Sequence, residues 1–369
     1  MLILYRYLSA EFIGKTIIAS AIINFVMILG NVLRRAMQYV VSQDYPLTLI
    51  FKFVLLLLPW LLSFSLPFSV LTATLLIFGR LSADHELTAM KACGVSMGHI
   101  IAPFVVIALM FTSVSLYING FLAPKCETAF KTMFTRFAIE NPMTFFETET
   151  YINNIQDMRI YVGAKDGQRV EKVQIQRLSN GIPMTSLRAE WGEVIRPDTA
   201  SSDIQLVLHK VRMEDRDPQD PENVRKVQYG RYYEEFILDI PLEKMLTEKL
   251  SAKSLSQHTF VDLAREIIAE EPKFSQGAIL VELHKRMSLP FACFIFVLVG
   301  IPLGIRVQRS EKSIGILVSF LVALVYFGFL FGADALRERT SFYPEMLLWI
   351  PNLVFGAAGV YLIWRQNRI

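Results

Sequence analysis

The chain has 369 residues, of which 53% are hydrophobic and only 19% are charged, and its formal net charge is +3. Charged residues make up roughly a quarter of an ordinary soluble protein, so this composition excludes that class and indicates a membrane protein. The small net charge, with basic residues set beside apolar segments instead of in one run, also excludes nucleic acid as a partner.

Six segments have the length needed to cross a bilayer, about 20 mostly apolar residues each. They cover residues 16–33, 51–78, 100–118, 288–305, 314–332 and 347–364. The N-terminus runs into this long apolar stretch without a small-residue cleavage site such as A-x-A, so we expect the first segment to stay in the mature protein. Pro59 and Pro67 lie inside the second segment, which predicts a single tilted and kinked span.

Basic residues follow the first span and begin the second. Arg34 and Arg35 come directly after the first span, where they could bind the phosphates of an anionic lipid. Adjacent arginines at a helix end are more commonly anchors at the membrane surface. A charge that faces lipid near mid-bilayer costs at least about 2.5 kcal/mol, so Lys52 should face a polar cavity or reach the interface.

The loop between the second and third spans reads RLSADHELTAMKACGVSMG. Ser82 can cap a short helix that Gly94 can end. Leu87, Met90 and Gly94 fall on one side of this helix, and Glu86 stands near that edge. Such a helix suits docking into a groove on a soluble partner, although a helix that lies on the lipid surface fits the spacing equally well.

The orientation follows from the lysines and arginines near the span ends, because cytoplasmic loops carry the positive excess. With the N-terminus inside, the inner flanks hold Arg6, Lys15, Arg80, Lys91, Arg306, Arg309, Lys312, Arg365 and Arg368. The outer flanks hold only Arg34, Arg35, Arg337 and Arg339. We therefore predict that both termini are cytoplasmic and that residues 121–285 lie outside, which in a bacterium means the periplasm.

The central segment alternates apolar and polar residues, as in DIQLVLHKVRME at residues 203–214, RIYVGA, KVQIQRL, MTSLRAEWGEVI and RKVQYGRYYEEFILD. Period-two alternation indicates half-buried strands, and several short strands separated by turn residues favour a sandwich or jelly roll. Residues 259–268 predict a helix that returns the chain to the membrane, with Thr259 as N-cap and Asp262 in capping-box position.

The fourth span begins with a crowded charged group, Glu282, Lys285 and Arg286, at its outer end. We count Arg286 among the candidate lipid-binding residues together with the basic residues described above. Gly300 and Gly304 form a G-x-x-x-G spacing that allows close helix approach. Ordinary packing inside one subunit is the commoner use of that spacing.

Catalysis has little support in this sequence. The five histidines are dispersed, and neither an HExxH pair nor a GxSxG motif is present. A GxxxxGK[ST] phosphate loop is also missing, so we expect no enzyme activity and no cofactor, with any ATP being used by another subunit. Three scattered cysteines, Cys93, Cys126 and Cys293, form neither a disulfide framework nor a metal site.

Four segments carry a resemblance to a known family: RYLSAEFIGKT, HELTAMKACGVS, VELHKRMSLPFACFIFVLVGIPLG and YPEMLLWIPNLVF. With three spans on either side of a central insert, the chain resembles the lipopolysaccharide export permeases LptF and LptG over essentially its whole length. The E-x-x-A-M-x-A-x-G pattern and the ELHKR-x-x-x-P run are its most specific parts.

The resemblance implies a heterodimer of two paralogous permease subunits, each with six helices and a periplasmic β-jellyroll, that works with an LptB-type cytosolic ATPase dimer. It implies lipopolysaccharide as the substrate and jellyroll proteins of the LptC and LptA type as periplasmic partners. In the family the loop helix contacts the ATPase, which assigns that contact here to Glu86, Leu87, Met90 and Gly94. Arg34 lies where the family has a basic residue near the lipid A phosphates, whereas Asn31 occupies a position that can be lysine.

These observations predict a polytopic α-helical membrane protein of six helices, three plus three, with an inserted periplasmic all-β jellyroll-like domain. The predicted divisions are residues 1–120 for the first membrane half, 121–255 for the β domain, 256–285 for a helical return linker and 286–369 for the second half. Within the first half, residues 82–94 form the loop helix. The predicted function is that of a permease subunit of an ABC-type lipopolysaccharide exporter, and the alternative is a membrane-anchored periplasmic scaffold or sensor.

Overall fold

The computed structural model describes residues 2–30, 47–140, 151–155, 158–167, 169–179, 182–195, 204–216, 227–240, 254–269, 273–307, 313–337 and 343–367. The described residues up to Phe130, together with those from Ser254 onward, form one compact helical unit. The residues from Lys131 to Ile240 belong to a second unit, which contains the β-sheet. Two candidate lipid-binding residues, Arg34 and Arg35, and also Asn31 lie outside the described residues.

The helices of the described residues are long, as the hydropathy of the sequence predicts. They are α1 (Leu2–Ile28), α2 (Leu47–Ala83), α3 (Glu86–Ala92), α4 (Met97–Tyr117), α5 (Ala123–Glu140), α6 (Phe260–Ile268), α7 (Gln276–Val307), α8 (Ser313–Ala335), α9 (Pro344–Leu347) and α10 (Ile350–Asn367). A π-helical turn, Ile118–Leu122, joins α4 to α5. A 3₁₀ turn, Leu255–Gln257, precedes α6.

Six helical stretches among the described residues are long and apolar enough to cross a membrane, which confirms the six predicted spans. Five of the six spans are longer than predicted, the third and fourth by the largest margin. The third runs through the π-helical turn into α5, and the fourth begins at Gln276, so its charged group lies inside the helix. The helix α2 contains both Pro59 and Pro67 within one continuous helical stretch.

Close packing between helices depends on glycines of α7 and α10. A Cβ atom at Gly300 would lie 3.0 Å from Thr74 of α2, and one at Gly304 would lie 3.0 Å from Phe78. The predicted use of this G-x-x-x-G spacing, packing inside one chain, is therefore confirmed. A Cβ at Gly359 of α10 would lie 2.7 Å from a backbone atom of α7.

A buried hydrogen-bond network of Ser288, Tyr326 and Asn352 joins α7, α8 and α10. The Ser288 hydroxyl donates to the carbonyl of Leu348 at 2.5 Å, and the Asn352 amide donates to the Ser288 hydroxyl at 2.9 Å. The Tyr326 hydroxyl donates to the Ser288 carbonyl at 3.2 Å. Burying a polar group in an apolar surrounding costs free energy unless the group is hydrogen-bonded. This network therefore favours one arrangement of the three helices.

The return segment (Ser254–Ile268) contains the predicted capping box. The Thr259 hydroxyl accepts a hydrogen bond from the backbone N–H of Asp262, and the Asp262 carboxylate accepts one from the backbone N–H of Thr259 at 3.0 Å. The prediction of a short helix capped at Thr259 is confirmed.

The second unit contains a seven-stranded antiparallel sheet. Its strands are β1 (Tyr151–Ile155), β2 (Met158–Tyr161), β3 (Ala164–Asp166), β4 (Arg169–Ser179), β5 (Ile182–Ile195), β6 (Ile204–Arg216) and β7 (Val227–Ile240). The order is β1-β2-β4-β5-β6-β7, with β3 paired to β4. The alternating segments are thus confirmed as strands of an inserted sheet, in which successive long strands pair. The jellyroll topology stays a prediction.

A crease crosses the three central strands of this sheet. The register sets Lys172 of β4, Glu190 of β5 and Lys210 of β6 side by side, and all three are exposed. Lys172 and Lys210 have φ values of 53° and 54°, in the left-handed region that non-glycine residues seldom adopt. Buried residues on both sides of the row form a single core, so the inward alternation shifts by one position at the crease. These core residues include Val170, Leu208, Val173, Ala189 and Val211.

Candidate functional site

The loop helix α3 begins at Glu86, four residues after the cap that the sequence suggests. The helix α2 continues to Ala83, since the backbone N–H of Asp84 still donates to the carbonyl of Arg80 at 2.9 Å. Ser82 therefore lies in the last turn of α2. His85, with φ at 56°, turns the chain between the two helices and occupies the N-cap position.

The end of α3 is a Schellman motif built on Gly94. The N–H of Val95 donates to the carbonyl of Met90 at 3.0 Å, and the N–H of Gly94 donates to the carbonyl of Lys91 at 2.9 Å. Gly94 has φ at 83°, a conformation that costs glycine little. The sequence prediction that Gly94 ends the helix is confirmed. Gly94 thus ends α3 through its backbone conformation.

We expect Gly94→Ala to destabilise the α3 loop by about 1 kcal/mol, because alanine pays for a positive φ. No atom lies within 4 Å of a Cβ added at Gly94, so the effect is conformational and not steric. Faster hydrogen exchange of the amides of α3 measures it. The matched control is Gly98→Ala, whose φ is not positive and whose Cβ would meet only Ser96 at 3.9 Å. Equal exchange rates in the two variants would contradict the prediction.

The residues predicted to contact an ATPase are divided between two sides of α3. Leu87 is only 6% exposed and belongs to the core of the helical unit, against which Met90 and Val95 also pack. The side chains of α3 that face outward are Thr88, Ala89, Lys91 and Ala92, followed by Cys93 and Gly94. Leu87 thus anchors the helix, while Lys91 and several small residues form its exposed surface.

Glu86 belongs to a charged cluster that joins three helices. Arg80, in the last turn of α2, lies 3.5 Å from the Glu86 carboxylate and 2.6 Å from the carboxylate of Glu11 on α1. Its guanidinium also donates to the Tyr7 hydroxyl at 3.0 Å. Lys15 pairs with the other oxygen of Glu11 at 2.7 Å. We call Glu11, Arg80 and Glu86 the shared-arginine cluster.

Arg286, predicted from sequence to bind lipid, is bound inside the chain. It is 4% exposed, and its Nε donates to Glu282 at 2.8 Å. Its two terminal nitrogens donate to carbonyls of the return segment, at Leu255 (3.0 Å), Ser256 (2.9 Å) and His258. The guanidinium therefore fastens the return segment to α7. Lipid contact by Arg286 stays a prediction that would require these bonds to be exchanged.

Other contacts hold the same region together. Lys285 pairs with Glu282 at 2.6 Å and lies 3.7 Å from Asp334 at the end of α8. The Ser256 hydroxyl donates to Glu127 of α5 at 2.7 Å. A cavity of about 70 Å³ lies between these polar groups and the aromatic side chains of α2. Its volume suits a few water molecules.

Lys52 is exposed near the beginning of α2, so its ammonium group is on the outside of the helical unit and not in that cavity. Within the described residues, the structure therefore does not bring Lys52 and Arg286 into one site. Reasoning from sequence missed Arg80 as the partner of Glu86, and it missed Glu11 as the second carboxylate that Arg80 binds. The Glu11–Lys15 spacing is a visible helical ion pair, but the contact to Arg80 spans 69 positions.

No group of His, Cys, Asp or Glu side chains within the described ranges has the arrangement of a metal site. The three cysteines are free, with Cys93 exposed, Cys126 half-buried and Cys293 buried.

Comparison with known proteins relates the whole chain to one family. The sequence pattern described as "Lipopolysaccharide export system permease LptF/LptG" matches residues 6–365. The lipopolysaccharide export system permease protein LptF of Escherichia coli strain K12 is 22% identical over 383 aligned residues, which cover 98% of this chain and 95% of that protein. The LptF proteins of Escherichia coli O157:H7 and Shigella flexneri match with the same identity and coverage.

Proposed function

The chain belongs to the LptF/LptG family of lipopolysaccharide export permeases, and we propose that it is one transmembrane subunit of an ABC-type exporter that extracts lipopolysaccharide from the inner membrane. The observation that carries the proposal is the family match over residues 6–365, in a chain that has six apolar helices and an antiparallel sheet in the middle of its sequence. In this proposal both termini and α3 are cytoplasmic. The sheet is periplasmic.

A paralogous permease subunit completes the cavity that takes up the lipid. A cytosolic ATPase dimer closes the cavity when it binds ATP, and the lipid moves to the β unit and then to periplasmic jellyroll proteins. Each CH₂ group kept out of water contributes about 0.8 kcal/mol, so acyl chains need an apolar surface at every stage. The margin of the sheet core offers one through its half-buried apolar side chains, Met158, Met213, Tyr233, Phe236 and Leu238.

The proposed contact with the ATPase is the outward side of α3. Thr88, Ala89 and Ala92 are small and exposed there, which allows the backbone of a partner groove to come close. Glu86 stands at the edge of this surface with a side chain that is 38% exposed. In this assignment Leu87 and Met90 act through packing, because they hold α3 against the membrane helices.

The experiment that tests the function is purification of the chain after co-expression with candidate partner genes, followed by mass spectrometry of what is bound. We expect a second permease subunit, an ATPase and lipopolysaccharide. For Glu86→Lys, we expect recovery of the ATPase to fall at least about tenfold, because a cation replaces the exposed carboxylate and stands beside Arg80.

The control is Glu193→Lys, an equally large charge change at an exposed position of the sheet. It should leave recovery of the ATPase unchanged. Undiminished recovery with Glu86→Lys would remove the assignment of α3, whereas a purified wild-type complex without lipopolysaccharide or an ATPase would remove the proposed function itself.

A further inference from the structure

The shared-arginine cluster divides one cation between two carboxylates on different helices. The contact of Arg80 with Glu11 is short, at 2.6 Å, and the Glu11 side chain is 17% exposed. The contact with Glu86 is longer, at 3.5 Å, and the Glu86 side chain is 38% exposed. A charge-assisted bond strengthens as it shortens and loses water, so Arg80 is held mainly by α1 and more weakly by α3.

The largest fully buried side chains of α1 lie at this end of the helix. Among the described residues of α1, the fully buried apolar side chains are Leu8 and Phe12, which flank Glu11. Farther along, the buried residues are small or polar, Thr16, Ser20 and Asn24, and the partly buried Ile23 packs against a second core cluster. The opposite face is exposed and apolar. Leu8, Phe12 and the charged contacts of Glu11 therefore hold the first half of α1 against the bundle.

The helix α3 is joined to the same cluster from the other side. Leu87 packs into the core that contains Leu8 and Phe12, and Glu86 reaches Arg80. A partner that takes hold of the exposed part of α3 therefore acts on Arg80 through the Glu86 carboxylate. When Glu86 is drawn to a cationic group on the partner, Arg80 keeps Glu11 as its remaining carboxylate. Of these contacts, Arg80 then keeps those to Glu11 and Tyr7, which both lie on α1.

We propose that Glu11 and Arg80 are positioning residues that relay the docking of the ATPase on α3 to the first membrane helix. The proposal rests on the function proposed above and adds two residues that belong to neither the proposed ATPase contact nor the candidate lipid-binding set. Through these two residues, the position of α1 depends on whether Glu86 is paired with Arg80 or with a cationic group of the ATPase. Loss of the Glu11 charge leaves α3 in place through Leu87 and Gly94 but disconnects α1 from it.

The test measures ATP hydrolysis by the purified complex in liposomes of phosphatidylethanolamine and phosphatidylglycerol, with and without purified lipopolysaccharide. For Glu11→Gln we expect normal recovery of the ATPase and basal hydrolysis within twofold of the wild type. Stimulation by lipopolysaccharide should fall at least about threefold. The matched control is Lys15→Gln on the same helix, which removes a cation that pairs with Glu11 but does not touch Arg80; it should keep the stimulation.

A second variant keeps the test decisive. If the two residues act as one unit, the double variant Glu11→Gln with Arg80→Gln loses no more stimulation than Glu11→Gln alone. Losses that add, stimulation that survives in Glu11→Gln, or a complex that no longer assembles in that variant would each overturn the relay. Failure of the wild-type chain to bind an ATPase would instead count against the proposed function.

Discussion

Replacement of Arg286 with methionine is expected to lower the free energy of unfolding of the helical unit by about 3 to 5 kcal/mol, the usual cost of breaking a buried ion pair. Methionine keeps an unbranched apolar side chain but has no hydrogen-bond donor. It would leave the carbonyls of Leu255, Ser256 and His258 without the guanidinium and would take one of two cations from Glu282. Each buried acceptor that loses its partner adds to the cost.

An SDS titration of the purified protein in mixed micelles measures this change. The matched control is Arg306→Met, at an exposed position near the other end of the same helix, which should change the unfolding free energy by less than about 0.5 kcal/mol. The loss of unfolding free energy in Arg286→Lys should lie between those of Arg286→Met and Arg306→Met, because one ammonium group keeps the charge but cannot reproduce the planar set of donors. A methionine variant as stable as the wild type would show that the return segment is held by other contacts.

Gly359→Ala is expected to have the second largest effect, a loss of about 1 to 3 kcal/mol through overpacking. The added Cβ would lie 2.7 Å from the Leu298 carbonyl carbon and 2.8 Å from the Val299 nitrogen. These are backbone atoms of α7, which cannot rotate away as a side chain can. The helix α10 must therefore move outward, and the hydrogen-bond network of Ser288, Tyr326 and Asn352 should weaken as a result.

The same titration measures this loss, with Gly328→Ala on α8 as the control. No atom lies within 4 Å of a Cβ added at Gly328, and alanine is the better helix former, so that variant should be at least as stable as the wild type. Gly356→Ala is an intermediate case, because its Cβ would meet the movable end of Ile295 at 3.2 Å. Equal stability of all three variants would contradict the close approach of α10 and α7.

Much of the fold could be predicted from signals between neighbouring residues of the sequence. Hydropathy over about 20 residues predicts each span without knowledge of its neighbours. The end of α3 at Gly94 and the capping box of Thr259 and Asp262 were equally predictable, because each depends on residues within one helical turn. The strands were visible for the same reason, since alternation is a property of consecutive residues.

The contacts between distant positions could not be predicted in this way. Arg286 has the appearance of an exposed cation at the beginning of a span, and only the folded return segment makes it a buried donor. Glu11 and Arg80 are brought together by the packing of α1 on α2. The positive φ values of Lys172 and Lys210 have no sequence signature, because lysine has no preference for that conformation.

The crease in the sheet has a consequence for how its strands find their pairing. On either side of the row of Lys172, Glu190 and Lys210, the buried positions follow two alternations that are out of phase. A strand that slipped by one residue would turn its apolar set outward and its charged crease residue toward the core. The crease thus fixes one position along each of these strands, and it penalises misregistered pairing during folding of the sheet.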